Sequence, residues 1–366
     1  MENLLRNISY VIVRVDDILV SGADEEDHLN NLEDVLKRLA EAGLRLRRSK
    51  CSSGFSTGTD IVFSIHFSPL GVIAKHHQMN FHLYADDTQL YISFKTCCTS
   101  DMELSKTRVE ACVRAIDLSM VPNRLKLNQE KTEVLLFSSP YRPRPNINDL
   151  TIADEVVNCS STAKDIGVTL DESLPMAPHV TAVGKSAFFH LRNISMIRKF
   201  LNMETTKSLV HAFITSKVDY CNSLLYGVPK YLLLRLQRVL NCSARIVFKI
   251  NKYDHITPLL KELHWLPIEQ RIKFKILLIT FKALNKQAPN YDLLTPYKPS
   301  RSLRSSTKNL LTKLVFNLKS CGGRSFVLAA AVLWNDLPQS IKDSQSAETF
   351  KQKLKRHLFL QAYSGQ

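Results

Sequence analysis

The stretch FHLYADDTQLYISF, residues 81–94, sets two adjacent carboxylates, Asp86 and Asp87, between two runs of strand-forming residues. Neighbouring side chains on a strand point to opposite faces, so two such acids converge on one cation only where the chain turns tightly. Acids placed this way suit a site for divalent metal, and they divide the chain around a hairpin. A second pair, Asp16-Asp17 in VIVRVDDILVSG, stands earlier in the sequence. A bare Asp-Asp is also an ordinary turn dipeptide, so the flanking residues must decide the reading.

Working outward, the 366-residue chain is 45% hydrophobic, enough to bury a sizeable core and to form two or three domains. Lys and Arg total 49 against 34 acids, a net charge of +15, which favours a polyanionic partner, with nucleic acid foremost. The eight cysteines contain no CxxC pair, and neither His264 nor His357 has a second ligand at zinc spacing, so free thiols in a reducing compartment are expected. The first residues lack the apolar core of a signal peptide, and runs such as VLAAAVLW (327–334) fall short of a membrane span. The expectation is an intracellular protein of cytoplasm or nucleus, without membrane contact or small-molecule cofactor.

Along the chain, residues 10–20 read as a strand pair. Leu29, Leu32, Val35, Leu36 and Leu39 then recur at helical spacing, with Asp24 to cap and Gly43 to stop that helix. SSGFSTGTD (52–60) reads as a linker. An apolar segment leads from Ile61 to Leu83, and Ser100 with Glu103 forms a capping box for a helix whose Val109, Cys112, Val113 and Ile116 share one face. KTEVLLF (131–137) and TIADEVVNC (151–159) read as one strand each, joined by the extended PYRPRPN. Beyond residue 175 the periodicity is helical, with Arg235, Arg238 and Arg245 on polar faces. Residues 298–324 read as a basic loop, and TFKQKLKRHLF as a last helix.

Residues 61–366 resemble the reverse transcriptase of LINE-type (non-LTR), jockey-like retrotransposons. The blocks that carry the likeness are FSIHFSPLGVI leading into FHLYADDTQLY, then LKLNQEKTEVLLF, DIGVTLD, AFFHLRNISMIRKFL, LVHAFITSKVDYCNSLLYGVPK, DHITPLLKELHWLPIEQRIKFKILLITFKALN, PSRSLRSS and LWNDLP. The resemblance implies an RNA-directed DNA polymerase using two Mg²⁺ ions, or Mn²⁺, with RNA template and DNA primer as partners. It would make Asp86 the principal metal ligand, Asp87 its neighbour, Tyr84 a contact of the primer terminus, and Lys131 a contact of the incoming triphosphate. Ile166 and Gly167 would lie in the hairpin that grips the primer, although the family more often has a neutral residue where Asp165 stands.

Residues 10–51 resemble a different enzyme, the reverse transcriptase of gypsy-class LTR retrotransposons, through DDILVSGADEEDHLNNLEDVLKRLAEAGLRLRRSKC. Arg14 stands where that family has tyrosine, so Asp16 and Asp17 would be a vestigial second hairpin. The implied organisation is a gypsy-like hairpin and helix (1–51), a junction (52–60), a LINE-like palm remnant (61–174), a helical thumb (175–297) and a basic C-terminal region (298–366). The implied fold is α+β, an incomplete palm of split βαβ type followed by mainly helical segments. SSGFSTGTD replaces the family's nucleotide-positioning loop, keeping little beyond Gly54 and Ser56. Neither part carries the strand with the third catalytic aspartate, and Asp60 falls in the damaged loop. Three readings follow: a polymerase fragment without activity, a remnant that binds RNA or DNA without chemistry, and a fusion without function. One rescue is open, in which residues 11–20 pair beside 81–93 and lend Asp16 as the missing acid.

Overall fold

The computed structural model describes residues 11–14, 17–20, 30, 33–35, 37–38, 41, 70–84, 87–96, 98–123, 126–138, 145–152, 155–251, 253–288, 294–297, 309–314 and 322–363. They form mixed helix and strand in two compact units, Met1–Ser160 and Ser161–Gln366. The boundary places the hairpin containing Ile166 and Gly167 with the helices, fourteen residues or so ahead of the boundary expected at 174/175. No described helix is long and apolar enough to cross a membrane.

In the first unit, β1 (Val11–Arg14) and β2 (Asp17–Val20) pair antiparallel with Arg14 opposite Asp17. Positions 30, 33–35, 37, 38 and 41 are helical with Val35 buried, as the leucine spacing requires, while Asp24, Gly43 and residues 52–60 lie outside the described residues. The apolar segment ahead of the acid pair divides into a helix, α1 (70–76), and β3 (Asn80–Tyr84), separated by Gln78 at φ 55°. Gly71 matters here, because a Cβ at that position would sit 2.9 Å from Phe81 Cζ. β3 pairs with β4 (Asp87–Tyr91) in register Tyr84 to Asp87.

The helix α2 (Thr99–Met120) organises this unit, but its start corrects the capping expectation. Cys98 is the N-cap and makes no side-chain cap bond, and Asp101, rather than Glu103, reaches back to accept the Lys95 N–H at 2.7 Å. Ser100 is already helical, so its hydroxyl meets Cys98 Sγ at 2.9 Å instead of capping. One face of α2 sets Cys112 and Ile116 against Leu70, Ala74, Phe81 and Leu90; Val113 packs on Leu150 and Ile152.

Two strand expectations also change. Only Val134–Leu135 (β5) of KTEVLLF is a strand, because Gln129–Lys131 coils into a 3-10 turn in which the Asn128 side chain accepts the Lys131 N–H. TIADEVVNC is two strands, β6 (Asp149–Ile152) and β7 (Glu155–Ser160), antiparallel to each other, with β5 parallel to β7. Folding back buries Leu150 and Ile152 on α2 and leaves Val156 outside. Lys106 fixes β6 through Asp149 at 2.8 Å, and that carboxylate holds the ammonium above its ordinary range.

The second unit opens with β8 (Thr162–Asp165) and β9 (Val168–Asp171), followed by helices. These are α3 (Ala177–Ile197), α4 (Met203–Val210), α5 (Ser216–Asp219), α6 (Lys230–Phe248), α7 (Ile256–Glu262), α8 (Ile268–Leu284), α9 (Phe326–Asn335), α10 (Gln339–Lys342) and α11 (Ala347–Tyr363). A π-helical turn, His211–Thr215, joins α4 to α5. On α6, Leu232, Leu236, Val239, Leu240, Ser243, Ala244 and Val247 form the buried stripe that helical periodicity demands. α8 serves two clusters: Ile272 and Ile276 meet the α3 and α6 side chains, and Leu277 and Phe281 meet Trp334, Phe350 and Leu354. Phe281 and Phe350 stack at 4.2 Å, both buried. Burial also raises the Tyr363 phenol to about 12, with its hydroxyl donating to Trp265 O at 2.8 Å.

Candidate functional site

The β3–β4 hairpin has two unlike faces because strand residues alternate. Phe81 and Leu90 turn toward α2, while His82, Tyr84, Asp87, Gln89 and Tyr91 occupy the other face. Tyr84 is 62% exposed, and Asp87, directly across the ladder from it, is also exposed. Near the far end of that face His82 stacks on Tyr91 at 5.3 Å, and their polar atoms meet at 3.1 Å. The hairpin thus presents a tyrosine and a carboxylate side by side on an open surface. Asp86, which should be the principal ligand, lies outside the described residues, as does Asp16; Asp17 is placed in β2 by its backbone.

A two-metal site needs several carboxylates brought together from separate strands. Among the described residues, which do not include Asp86, no three His, Cys, Asp or Glu side chains form such a group. β1 pairs with β2 and β3 with β4, and no ladder among the described residues joins the two hairpins, so the rescue through residues 11–20 is not built.

Lys131 ends the 3-10 turn, exposed, with its N–H directed to Asn128 Oδ1 at 3.3 Å. No hydrogen bond or ion pair among the described residues connects it to Asp87. Beside this turn a cleft of about 450 Å³ is lined by Lys126, Leu127, Asn128, Gln129, Glu130 and Glu155.

Ile166 and Gly167 form the two-residue turn between β8 and β9, at φ 43° and φ 75°. Positive φ at both centres is the type I′ pattern, which suits glycine but strains a β-branched residue. Tyr220 holds the strained turn from outside by donating its hydroxyl to Ile166 O at 2.7 Å. Sequence reasoning missed Tyr220; its aromatic ring in VDYCNSLLYG carries no signal of a partner fifty-odd positions upstream.

On the helices, Arg235 and Arg238 are exposed as expected, whereas Arg245 is half-buried and bonds Asp254 O. Sequence reasoning also missed the outer face of α3, where Phe188, Phe189 and Met196 are exposed alongside Lys185 and Arg192. The adjacent phenylalanines in a helix that buries only one side were the available signal. Compared with known proteins, the chain matches no family model, no curated protein and no solved structure.

Proposed function

We propose that this chain is a fragment derived from a non-LTR retrotransposon reverse transcriptase, preceded by a shorter LTR-type segment, in which two-metal nucleotidyl transfer has been lost. The observation that carries the reading is the Tyr84-Ala85-Asp86-Asp87 sequence on a two-stranded hairpin with Tyr84 opposite Asp87. Asp86 and Asp87 are the remnant metal ligands of that proposal, Tyr84 the primer contact and Lys131 the triphosphate contact. The missing strand with a third aspartate is the reason for assigning no present chemistry, since two acids of one turn complete only part of a two-metal cage.

A second reading has its own support: the helical segments are basic and pack around two apolar clusters, so backbone binding of RNA or DNA can outlast catalysis. The test for both is primer extension by the whole chain on an RNA template with Mg²⁺ or Mn²⁺, beside Asp86→Asn, with template affinity measured across a salt series. The expected result is no extension and an affinity that falls steeply with salt. Extension abolished by Asp86→Asn would overturn the loss of chemistry, and a flat salt dependence would remove the binding reading.

A further inference from the structure

α3 carries on its outer side a stripe of Lys185, Phe188, Phe189, Arg192 and Met196, continued past the helix end by Phe200. The spacing keeps these residues on one face of a helix that buries Val180, Ala187, Leu191 and Ile194 on the other. The rings are open: Phe188 is 44% exposed, Phe189 62% and Phe200 77%. Large apolar side chains gathered on one surface mark a place where something docks. The flank supplies further flat rings, since Phe213 stacks on His190 at 5.4 Å and is itself exposed.

Charge decides what fits there. No acid occurs between Glu172 and Glu204, while Lys185, Arg192, Arg198 and Lys199 fall in that interval. Lys199 lies 4.8 Å from the Phe200 ring centre, and Lys217 is held beside α3 by a 2.7 Å bond to Ser186. At the other end Arg235 meets Thr181 at 3.3 Å. A protein partner would need an acidic and apolar surface. A single strand of nucleic acid supplies both properties in one chain, with phosphates for the cations and bases for the rings.

We infer that this face of α3 binds single-stranded RNA or DNA, with bases stacked on Phe189 and Phe200 and the backbone running along Lys185, Arg192 and Lys199. The inference rests on the nucleic-acid-binding reading above and specifies its surface and strandedness. From Lys185 to Phe200 the stripe extends about 22 Å at helical rise, room for about four nucleotides.

The experiment is fluorescence anisotropy of the full chain with labelled rU and dT 12-mers and with a mixed-sequence 12-base-pair duplex. The wild type is expected to bind the single strands more tightly than the duplex. Phe189→Leu with Phe200→Leu keeps apolar surface but removes the stacking faces, and should weaken single-strand binding by tenfold or more with the salt slope unchanged. Phe189→Tyr with Phe200→Tyr should restore it. Lys185→Gln with Arg192→Gln should reduce the salt slope by about 1.4 for single strands. Salt-dependent binding that is indifferent to the Leu pair, or equal for duplex and single strand, overturns this inference while leaving the binding reading intact. No binding of any oligonucleotide by the wild type overturns both and returns the stripe to a protein partner.

Discussion

Replacing Arg198 tests whether the turn after α3 is locked to the end of α6. Its guanidinium donates from Nε to Ile246 O at 2.8 Å, from Nη2 to Val247 O at 2.7 Å and from Nη1 to Leu201 O at 2.6 Å. Ile246 and Val247 belong to the last turn of α6, where helix carbonyls run out of successor N–H groups and Ile246 O has only a long 3.4 Å bond from the Lys249 N–H. A fixed cation there also faces the negative end of the helix dipole. Glycine is the usual residue at such an end, yet Lys249 takes the left-handed position at φ 56°. Arg198 therefore supplies part of a termination that the local sequence does not provide cheaply. Each charge-assisted bond contributes about 1.5–3 kcal/mol when sealed from water. These three share one half-buried group at a helix end where water can replace it, so the sum for Arg198→Met is about 2–4 kcal/mol. Arg198→Lys keeps the charge but reaches fewer carbonyls, and should lose about half as much. The assay is urea unfolding followed by tryptophan fluorescence, which isolates this unit because both tryptophans, Trp265 and Trp334, lie in it. An Arg198→Met midpoint shift worth less than about 0.5 kcal/mol would refute the reasoning.

Three further outcomes are expected. Phe350→Ala removes a fully buried ring stacked on Phe281 and should destabilise the helical unit by about 3–5 kcal/mol in the same unfolding assay; a near-neutral effect would mean α11 is not docked on α8. Ile166→Asn should raise stability by about 1 kcal/mol, because asparagine tolerates the left-handed turn that strains isoleucine, whereas Gly167→Ala should lower it; calorimetry showing the reverse order would exclude the type I′ turn. Burial lowers the affinity of His179 for a proton, so the unfolded chain binds that proton more readily. This contribution is complete above about pH 6.5 and declines as pH falls below it, and His179→Gln should make a urea-midpoint profile shallower below that pH, with His211 and His357, whose proton affinity desolvation also lowers, keeping part of the slope.

The helices of the second unit were legible because each buries a stripe with a regular period, as in Leu232, Leu236, Val239 and Leu240. Where they stop was less legible: α6 ends at Lys249 and the turn after α7 at His264, both left-handed without glycine, closed by the Ile250 N–H on Arg245 O and the Trp265 N–H on Leu260 O, with distant Arg198 also bonding the α6 end. The strands of the first unit were harder still. Val134 and Leu135 are strand only because Cys159 and Ser160 lie alongside, a pairing to which the local sequence contributes nothing. The hairpin at Asp87 was readable from alternation around the acids, and its open face follows from the same alternation. The stripe on α3 escaped notice because Phe188 and Phe189 count as core by composition, and only the burial of Ala187 and Leu191 turns them outward.

Chemistry and binding place different demands on a protein chain. A two-metal reaction needs carboxylates from several strands held in one geometry, and loss of one strand removes the whole site. Backbone binding is a sum over many cations, so it survives loss of any one segment, provided the helices that present them keep their core. The described strands form separate ladders of two or three, whereas the helical unit has two contiguous apolar clusters sharing α8. The β3–β4 and β5–β7–β6 ladders pack on α2, and nothing among the described residues brings further acids to Asp87. Oligonucleotide affinity should therefore be indifferent to divalent metal: adding EDTA at constant ionic strength should leave it within about twofold. A loss of tenfold or more on chelation, reproduced by Asp86→Asn with Asp87→Asn, would show that the acid pair bridges a cation to phosphate and that the β3–β4 hairpin takes part in binding.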